Sequence, residues 1–177
     1  MTVHISDYDP GWPRLAATAR ADLVTALPGL FSVIEHIGST AVPGLAAKPI
    51  VDLMAATVVL ADVVASEPVL GSLGYQPCEI GMANRLFYVR DTGGCRSHHL
   101  HVVTVDTWDG RKERMLRDHL LTHPDDVVRY AELKQRLRWT AADSDAYTVA
   151  KTPLIQEMMD RARAERMRLL QHALDAS

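Results

Sequence analysis

The 177-residue sequence has little cysteine, few aromatic residues and no long apolar run. Its two cysteines, Cys78 and Cys95, are too few for a disulfide scaffold and lack the spacing of metal ligands. No apolar stretch approaches the roughly 20 residues that span a bilayer, and residues 1–7 lack the charged-then-apolar pattern of a secretory signal. These absences predict a cytoplasmic protein with reduced thiols and no membrane partner.

An excess of charge of one sign is also missing. The chain has 19 Lys and Arg against 22 Asp and Glu, which gives a net charge of −3. This balance provides no general attraction for duplex nucleic acid, so we expect a small-molecule or nucleotide partner held by local groups. The composition, 47% hydrophobic and 23% charged, is that of an ordinary globular protein, and the length predicts one domain over residues 1–177. Histidine, by contrast, is plentiful, with eight residues.

Apolar periodicity and turn residues predict an α+β domain that is strand-rich over 30–105 and helical over 108–176. The turn Asp91-Thr92-Gly93-Gly94 favours a hairpin between the last two strands. Asp143-Ser144-Asp145 can cap a final helix running toward Ala173, and Pro153 either delays that helix or marks its first turn. The other predicted elements are strands 31–37, 50–55, 75–79, 85–90 and 97–105, and helices 14–27, 60–73, 108–121 and 124–139.

The loop between the first two strands carries the first functional signal. Gly38-Ser39 follows a strand, where a ligand can approach the backbone closely and where N–H and hydroxyl donors suit a phosphate. Lys48 adds a positive charge, and Asp52 stands in an otherwise apolar strand, where a carboxylate needs a partner, a metal or a cleft. The alternative is structural: Gly38 and Gly44 serve the turn, and Asp52 caps or pairs.

The run Ile34–Asp52, IEHIGSTAVPGLAAKPIVD, closely resembles the signature of the GrpB-like family. The resemblance implies a nucleotidyltransferase-like fold of the polymerase-β type, with a mixed sheet of about five strands, an N-terminal helix and a C-terminal group of helices. It also implies kinship with a domain appended to some actinobacterial dephospho-CoA kinases. The agreement extends to residues 8–13, 74–75, 99–102, 117–120, 123–124 and the pair Tyr147 and Lys151.

In the wider superfamily, Gly-Ser at a strand end holds nucleotide phosphates, and carboxylates on neighbouring strands bind divalent metal. Gly38, Ser39 and the first carboxylate, Asp52, match this pattern. In the superfamily a second carboxylate stands two residues after the first on the same strand. Here that position is Met54, whose thioether is a poor ligand for the hard Mg²⁺ ion. The resemblance therefore implies nucleoside triphosphate binding more directly than it implies two-metal transfer.

Histidines offer a different metal chemistry. On a strand, His99 and His101 share one face, whereas His98 points to the other. If this strand lies beside that of Asp52, the three side chains form a two-histidine-one-carboxylate set, which suits Zn²⁺, Mn²⁺, Fe²⁺ or Ni²⁺ better than Mg²⁺. The alternative is that both imidazoles hydrogen-bond in a polar cleft and contact phosphate or substrate without a metal.

Three further residues complete the candidate site. His36 adjoins the Gly-Ser loop and is a candidate catalytic group, or a satisfied histidine at a strand end. Arg85 is a candidate phosphate ligand from a neighbouring strand, or a residue that pairs at the surface. The family resemblance directs the helix face of Tyr147 and Lys151 to the cleft, with Lys151 as a phosphate ligand; the sequence alone makes Lys151 a solvated charge. No metal is expected at His119 and His123, because the second precedes a proline at a helix boundary.

These observations support three hypotheses. The first is a nucleotidyltransferase-like enzyme that binds a nucleotide or phosphorylated small molecule at Gly38-Ser39, with a divalent metal near Asp52. The second is a non-catalytic binding module, which Met54 favours. The third is a metal-dependent hydrolase or ligase that activates water at an Asp/His site.

Overall fold

The computed structural model describes residues 4–79, 81, 84–140 and 144–175, and its centre is a five-stranded mixed sheet. The strands lie in the order β1-β2-β5-β4-β3, with β2 and β5 parallel and the other neighbours antiparallel. The predicted α+β class with about five strands is therefore confirmed. The strands are β1 (Val33–Ile37), β2 (Val51–Thr57), β3 (Tyr75–Pro77), β4 (Leu86–Thr92) and β5 (Cys95–Thr104).

The helices depart from the sequence prediction where proline intervenes. The single helix predicted over 60–73 is wrong: it is divided at Ser66, and the chain restarts with Pro68 in the first turn of the next helix, where a missing N–H is tolerated. Pro153 likewise marks the first turn of the last helix. The helices are α1 (Trp12–Ala26), α2 (Leu60–Ala65), α3 (Glu67–Ser72), α4 (Lys112–Thr122), α5 (Pro124–Thr140), α6 (Ser144–Ala150) and α7 (Thr152–Asp175).

Two further differences concern helix starts. Trp108, predicted to open a helix, lies in a 3-10 segment (Val105–Gly110), so α4 begins later, at Lys112. Asp143 of the predicted cap lies outside the described residues. The segment predicted as one final helix contains two, α6 and α7.

The predicted hairpin is confirmed. Thr92 pairs with Cys95, and the two residues between them, Gly93 and Gly94, have φ of 61° and 78°. Two consecutive positive φ angles are those of a type I′ turn, whose twist matches the strands and which glycine adopts without strain. A register shift between Arg90 and Asp91 lies between this turn and the histidines, so the turn and the shift together set the register of the histidines of β5.

The two faces of the sheet serve different purposes. One face is the main core, where Leu53 and Leu100 are fully buried beneath α1, α2 and α3. On the other face Ile37, Met54 and Val103 pack beneath Trp108. This apolar cluster covers only part of that face, and the polar side chains of β2 and β5 occupy the remainder. None of the helices in the described part of the chain is long and apolar enough to cross a membrane.

Candidate functional site

Neighbouring strands bring the predicted carboxylate and histidines together. Asp52 of β2 is paired in register with His99 of β5, and His101 follows two residues later on the same face. His99 Nδ1 lies 2.8 Å from Asp52 Oδ1, and His101 Nε2 lies 3.9 Å from the same oxygen. We call these three residues the Asp–His cluster. Their side chains are 15–26% exposed, so the cluster is open to a ligand.

The carboxylate of Asp52 is held in its ionised form. Burial raises the pKa of Asp52, but the interactions with His101 and His99 outweigh burial and hold that pKa below its ordinary value. Gly38 makes the position of this carboxylate sterically accessible, because a Cβ at Gly38 would lie 2.4 Å from Asp52 Oδ2. The glycine predicted to admit a ligand thus admits the Asp52 side chain.

Gly38→Ala is expected to lower the free energy of unfolding by about 2–4 kcal/mol, because φ of 72° and ψ of −172° strain a non-glycine residue and the new Cβ meets Asp52. Urea denaturation of the metal-free protein measures this loss. Gly44→Ala is the matched control: its φ is also positive, at 78°, but no atom lies within 4 Å of the new Cβ. The control should lose only about 1–2 kcal/mol, and equal losses would show that the contact with Asp52 has no consequence.

Beside the cluster lies a cavity of about 120 Å³ rich in lysine, which we call the lysine cavity. Three lysines on different elements reach it: Lys48 from the loop after β1, Lys134 from α5 and Lys151 from the junction of α6 and α7. The structure therefore places Lys151 beside the candidate site, at a position where the sequence alone favours a solvated charge. The cavity is lined by Ser39, Thr40, Ala47, Lys48, Ile50, Asp52, His99, Lys134, Tyr147 and Lys151.

Lys134 is the residue that sequence reasoning missed. It is 2% exposed, and its Nζ donates to Ser39 Oγ at 2.6 Å and to the carbonyl of Ala46 at 2.9 Å. Burial, and then the charge of Lys151, hold its pKa well below the usual value, although Asp52 acts in the opposite sense. A signal was present in the sequence: Tyr130, Lys134 and Leu137 occupy one helical face, so a lysine interrupts an apolar stripe.

Lys151 and Lys48 share the ring of Tyr147. Their Nζ atoms lie 4.4 Å and 5.1 Å from the ring centroid, within the range of cation–π attraction. Burial, followed by the charge of Lys48, lowers the pKa of Lys151 to about 8, with Asp52 opposing. The positive charges of the lysines therefore repel one another, and a bound anion in the cavity would offset this repulsion.

His36 lies on the opposite face of its strand from the Asp–His cluster. In the sheet His36 is paired with Leu53, whereas Asp52 is paired with Ile37. Among the described residues that line the lysine cavity, His36 is not found. Its Nε2 lies 2.9 Å from Thr40 Oγ1. Burial lowers the pKa of His36 to about 4, so the imidazole is neutral at pH 7. The contact with Thr40 lets His36 hold the shape of the Gly-Ser turn.

Arg85 is likewise not brought to the lysine cavity. Its side chain is 5% exposed, and Nη2 donates to Glu113 Oε1 at 2.7 Å. Among the described residues that line the cavity, Arg85 is not found. It lies instead on the β4 side of the Asp–His cluster, where Phe87 contacts the rings of both His99 and His101.

A second group of metal-ligating residues, His119, His123 and Glu165, has a geometry that does not suit a metal. The two imidazole rings are stacked 3.9 Å apart at an interplanar angle of 15°. A metal ion must lie close to the plane of each imidazole that binds it, so two parallel rings cannot share one ion without rotating. His119 Nε2 is moreover 2.7 Å from Asp126 Oδ2. These side chains form a hydrogen-bonded contact between α4, α5 and α7, in which His123 Nε2 lies 3.2 Å from Glu165 Oε1.

The donor set of the Asp–His cluster fits a divalent transition metal. Two imidazole nitrogens and one carboxylate oxygen all lie within 4.8 Å of one another. Imidazole suits Zn²⁺, Mn²⁺ and Ni²⁺, whereas Mg²⁺ prefers an all-oxygen shell. Met54 supplies no ligand, because it is fully buried against Ile37 and Val103.

Comparison with solved structures identifies the fold. The crystal structure of the conserved protein GrpB from Enterococcus faecalis superposes with a TM-score of 0.83 and 27% identity, covering 93% of this chain and 99% of that one. Terminal uridylyl transferase 4 from Trypanosoma brucei, solved with bound CTP, has a TM-score of 0.51 and 15% identity, covering 89% of this chain and 52% of that one. The fold is therefore nucleotidyltransferase-like.

Sequence comparison gives the family. A UPF0157 protein of Pseudomonas aeruginosa is 40% identical over 169 residues, which cover 92% of this chain and 68% of the relative. A UPF0157 protein of Streptomyces coelicolor is 36% identical, covering 94% of this chain and 87% of the relative. The family described as GrpB protein matches residues 2–161. From this match, and from the structural likeness to a solved GrpB, we conclude that the chain belongs to the GrpB family.

Proposed function

We propose that this protein is a nucleotidyltransferase-like enzyme that binds a nucleotide, or another phosphorylated small molecule, beside a divalent metal. The supporting observation is that the lysine cavity and the Asp–His cluster are contiguous, since Asp52 and His99 line both. Phosphate requires positive charge and hydrogen-bond donors, and a divalent ion requires the carboxylate and imidazoles. Both sets of groups meet at one opening in the protein surface.

In this proposal the chain's own groups have distinct roles. Lys134 orients the hydroxyl of Ser39 at the floor of the cavity, and Lys48 and Lys151 provide positive charge around the phosphate. Asp52, His99 and His101 hold the metal, and Gly38 permits the close approach of Asp52. A divalent ion bound there supplies positive charge that offsets the charge developing on a transferring phosphoryl group.

The test is metal analysis combined with thermal denaturation in the presence of ATP, CTP and inorganic triphosphate. We expect stoichiometric metal after equilibration with Zn²⁺ or Mn²⁺. A nucleotide at 100 times its Kd should stabilise the protein by about 2.7 kcal/mol, which raises Tm by about 5–10 °C for a chain of this size. If neither nucleotide nor triphosphate raises Tm, the proposal is wrong.

Met54 favours a second candidate function. With an apolar residue in place of the second carboxylate, the site provides one metal position, which suits a hydrolase that activates water or a non-catalytic binding module. Incubation with labelled nucleotides distinguishes the candidates. Transfer to an acceptor with release of pyrophosphate supports the enzyme first proposed, water as the acceptor supports the hydrolase, and binding without turnover supports the module.

Anion binding should take up a proton at Lys151. With a pKa of about 8, this side chain is about three-quarters neutral at pH 8.5 in the absence of a ligand. A bound phosphate favours the ammonium and raises that pKa, so at pH 8.5 Lys151 takes up as much as about 0.75 proton on binding, and affinity falls as the pH rises through 8. Calorimetry with triphosphate in buffers of different ionisation enthalpy measures the uptake.

Lys151→Met provides the control for this measurement. In this variant the uptake should fall by the contribution of Lys151, leaving only that of Lys134. A binding enthalpy that is independent of the buffer in the wild-type protein would contradict an anion beside Lys151.

A further inference from the structure

The two ring nitrogens of His101 lie in different surroundings. Nε2 faces the Asp–His cluster, 3.9 Å from Asp52 Oδ1. Nδ1, on the opposite edge of the ring, is buried and has no hydrogen-bond partner among the described residues. Buried polar atoms in native proteins are nearly always paired, so a hydrogen-bond partner is expected on the Nδ1 side, and it is an acceptor when a metal occupies Nε2 and the proton moves to Nδ1.

Glu113 presents a complementary unpaired atom. It stands in the first turn of α4, and its Oε1 accepts from Arg85 at 2.7 Å. Its other oxygen, Oε2, is buried and also has no hydrogen-bond partner within the described residues. Burial raises the pKa of Glu113, but the charge and hydrogen bond of Arg85 outweigh it, and the charge of His101 acts in the same direction. The geometry places the two unpaired atoms on the same side of the Asp–His cluster, because Glu113 binds Arg85, which stands two residues before Phe87, and the Phe87 ring lies 4.7 Å from that of His101.

Metal coordination by His101 would require a hydrogen-bond acceptor of this kind. A histidine that binds a metal through Nε2 carries its proton on Nδ1, and that N–H in known sites donates to a carboxylate, a carbonyl or water. Such an acceptor fixes the tautomer, orients the ring and increases the basicity of the coordinating nitrogen. The structure holds the histidine with its Nε2 toward the Asp–His cluster, and a carboxylate with one unpaired oxygen held by Arg85.

We propose that Glu113 is the outer carboxylate of the metal site, accepting the Nδ1 proton of His101 while Nε2 binds a divalent transition-metal ion. Arg85 positions Glu113, which gives this buried arginine a role in place of phosphate binding. Both residues are positioning residues, since neither contacts the ion. The inference rests on the metal site of the proposed function.

The test is the Zn²⁺ affinity of Glu113→Gln, measured by competition with a chromophoric chelator. The variant keeps the size of the side chain but loses the negative charge, and affinity should fall about 10–100-fold. Glu35→Gln is the matched control: Glu35 is also a partly buried carboxylate paired with arginine, but its partners are Arg114 and Arg117 of α4. The control should retain affinity close to that of the wild-type protein.

The outcomes separate this inference from the proposed function. If the wild-type protein binds no divalent metal, the metal site itself is wrong. If the wild-type protein binds Zn²⁺ and Glu113→Gln binds it equally well, only the outer carboxylate is wrong. Equal losses of Zn²⁺ affinity in Glu113→Gln and Glu35→Gln would show that any nearby negative charge has this effect. That result would also overturn the inference, because it requires a specific hydrogen bond to His101.

A measurement on the wild-type protein covers the case in which Glu113→Gln does not fold. Nitrogen-15 NMR of the Zn²⁺-loaded protein reports the tautomer and the proton of His101 directly. We expect a slowly exchanging Nδ1–H resonance shifted downfield by a carboxylate acceptor. A His101 that binds Zn²⁺ through Nδ1, or whose Nδ1 proton exchanges freely with water, contradicts the proposal.

Discussion

We expect Asp52→Asn to lower the affinity for Zn²⁺ by on the order of 100-fold or more, because it removes the only anionic group of the Asp–His cluster among the described residues. His99→Ala and His101→Ala are expected to have comparable effects, since each removes one of two imidazole ligands. Equilibrium dialysis with metal analysis measures the loss. It is one of the two largest effects that we expect, because the described part of the chain places no fourth carboxylate, histidine or cysteine in the cluster to compensate.

His98→Asn is the matched control for the histidine variants. His98 adjoins His99 in sequence, but it faces the opposite side of the sheet, where its Nδ1 lies 2.9 Å from Ser97 Oγ. Burial lowers the pKa of His98 to about 4, so the residue is neutral, as a metal ligand would be, but lies on the wrong face. Zn²⁺ bound with unchanged affinity by Asp52→Asn, or lost equally in His98→Asn, would contradict the assigned ligands.

Lys134→Met is expected to separate ligand binding from stability. The side chain of Lys134 donates to Ser39 at the floor of the lysine cavity and can take up a proton when an anion binds, so its removal should weaken triphosphate binding by about 10–100-fold, which corresponds to the loss of one or two charge-assisted hydrogen bonds in the complex. The free energy of unfolding should change by less than about 2 kcal/mol, because the relief of no longer burying a basic group offsets the loss of the donor to Ser39 Oγ and the Ala46 carbonyl. Calorimetry and urea denaturation measure the two effects.

Lys112→Met is the control for Lys134→Met. It removes a lysine from the first residue of α4 and outside the cavity lining, so neither quantity should change appreciably. If Lys134→Met instead unfolds the protein while wild-type affinity for triphosphate is undetectable, Lys134 is a structural anchor and the lysine cavity is not an anion site.

Local patterns were sufficient for much of the fold and for part of the site. Alternation along β5 correctly separated His99 and His101 from His98, because side chains of a strand alternate whatever lies around them. Gly93 and Gly94 correctly predicted a tight hairpin, because only a few residue types adopt two successive positive φ angles. The helix predicted over 60–73 is divided at Ser66, because Pro68 fits the first turn of a helix and interrupts the interior of one.

Long-range placement decided the rest. The distance between Lys134 and Ser39 in the sequence is 95 residues, and no local pattern specifies that a buried amine of α5 should meet a hydroxyl after β1. The same holds for Arg85, which faces Glu113 on α4 and not the Gly-Ser turn. His36 is close in sequence to the Gly-Ser turn, but its side chain lies on the face of the sheet opposite to Asp52, because the register pairs His36 with Leu53.

The sequence by itself determined the α+β class, the Gly38-Ser39 turn, the face shared by His99 and His101, and an Asp52 in need of a partner, since each depends on local backbone preference or strand periodicity. Only the tertiary structure decided that β2 and β5 are parallel neighbours and that three lysines from separate elements converge beside them. Those facts depend on which surfaces of distant segments bury one another, and that is a property of the assembled core rather than of any single segment.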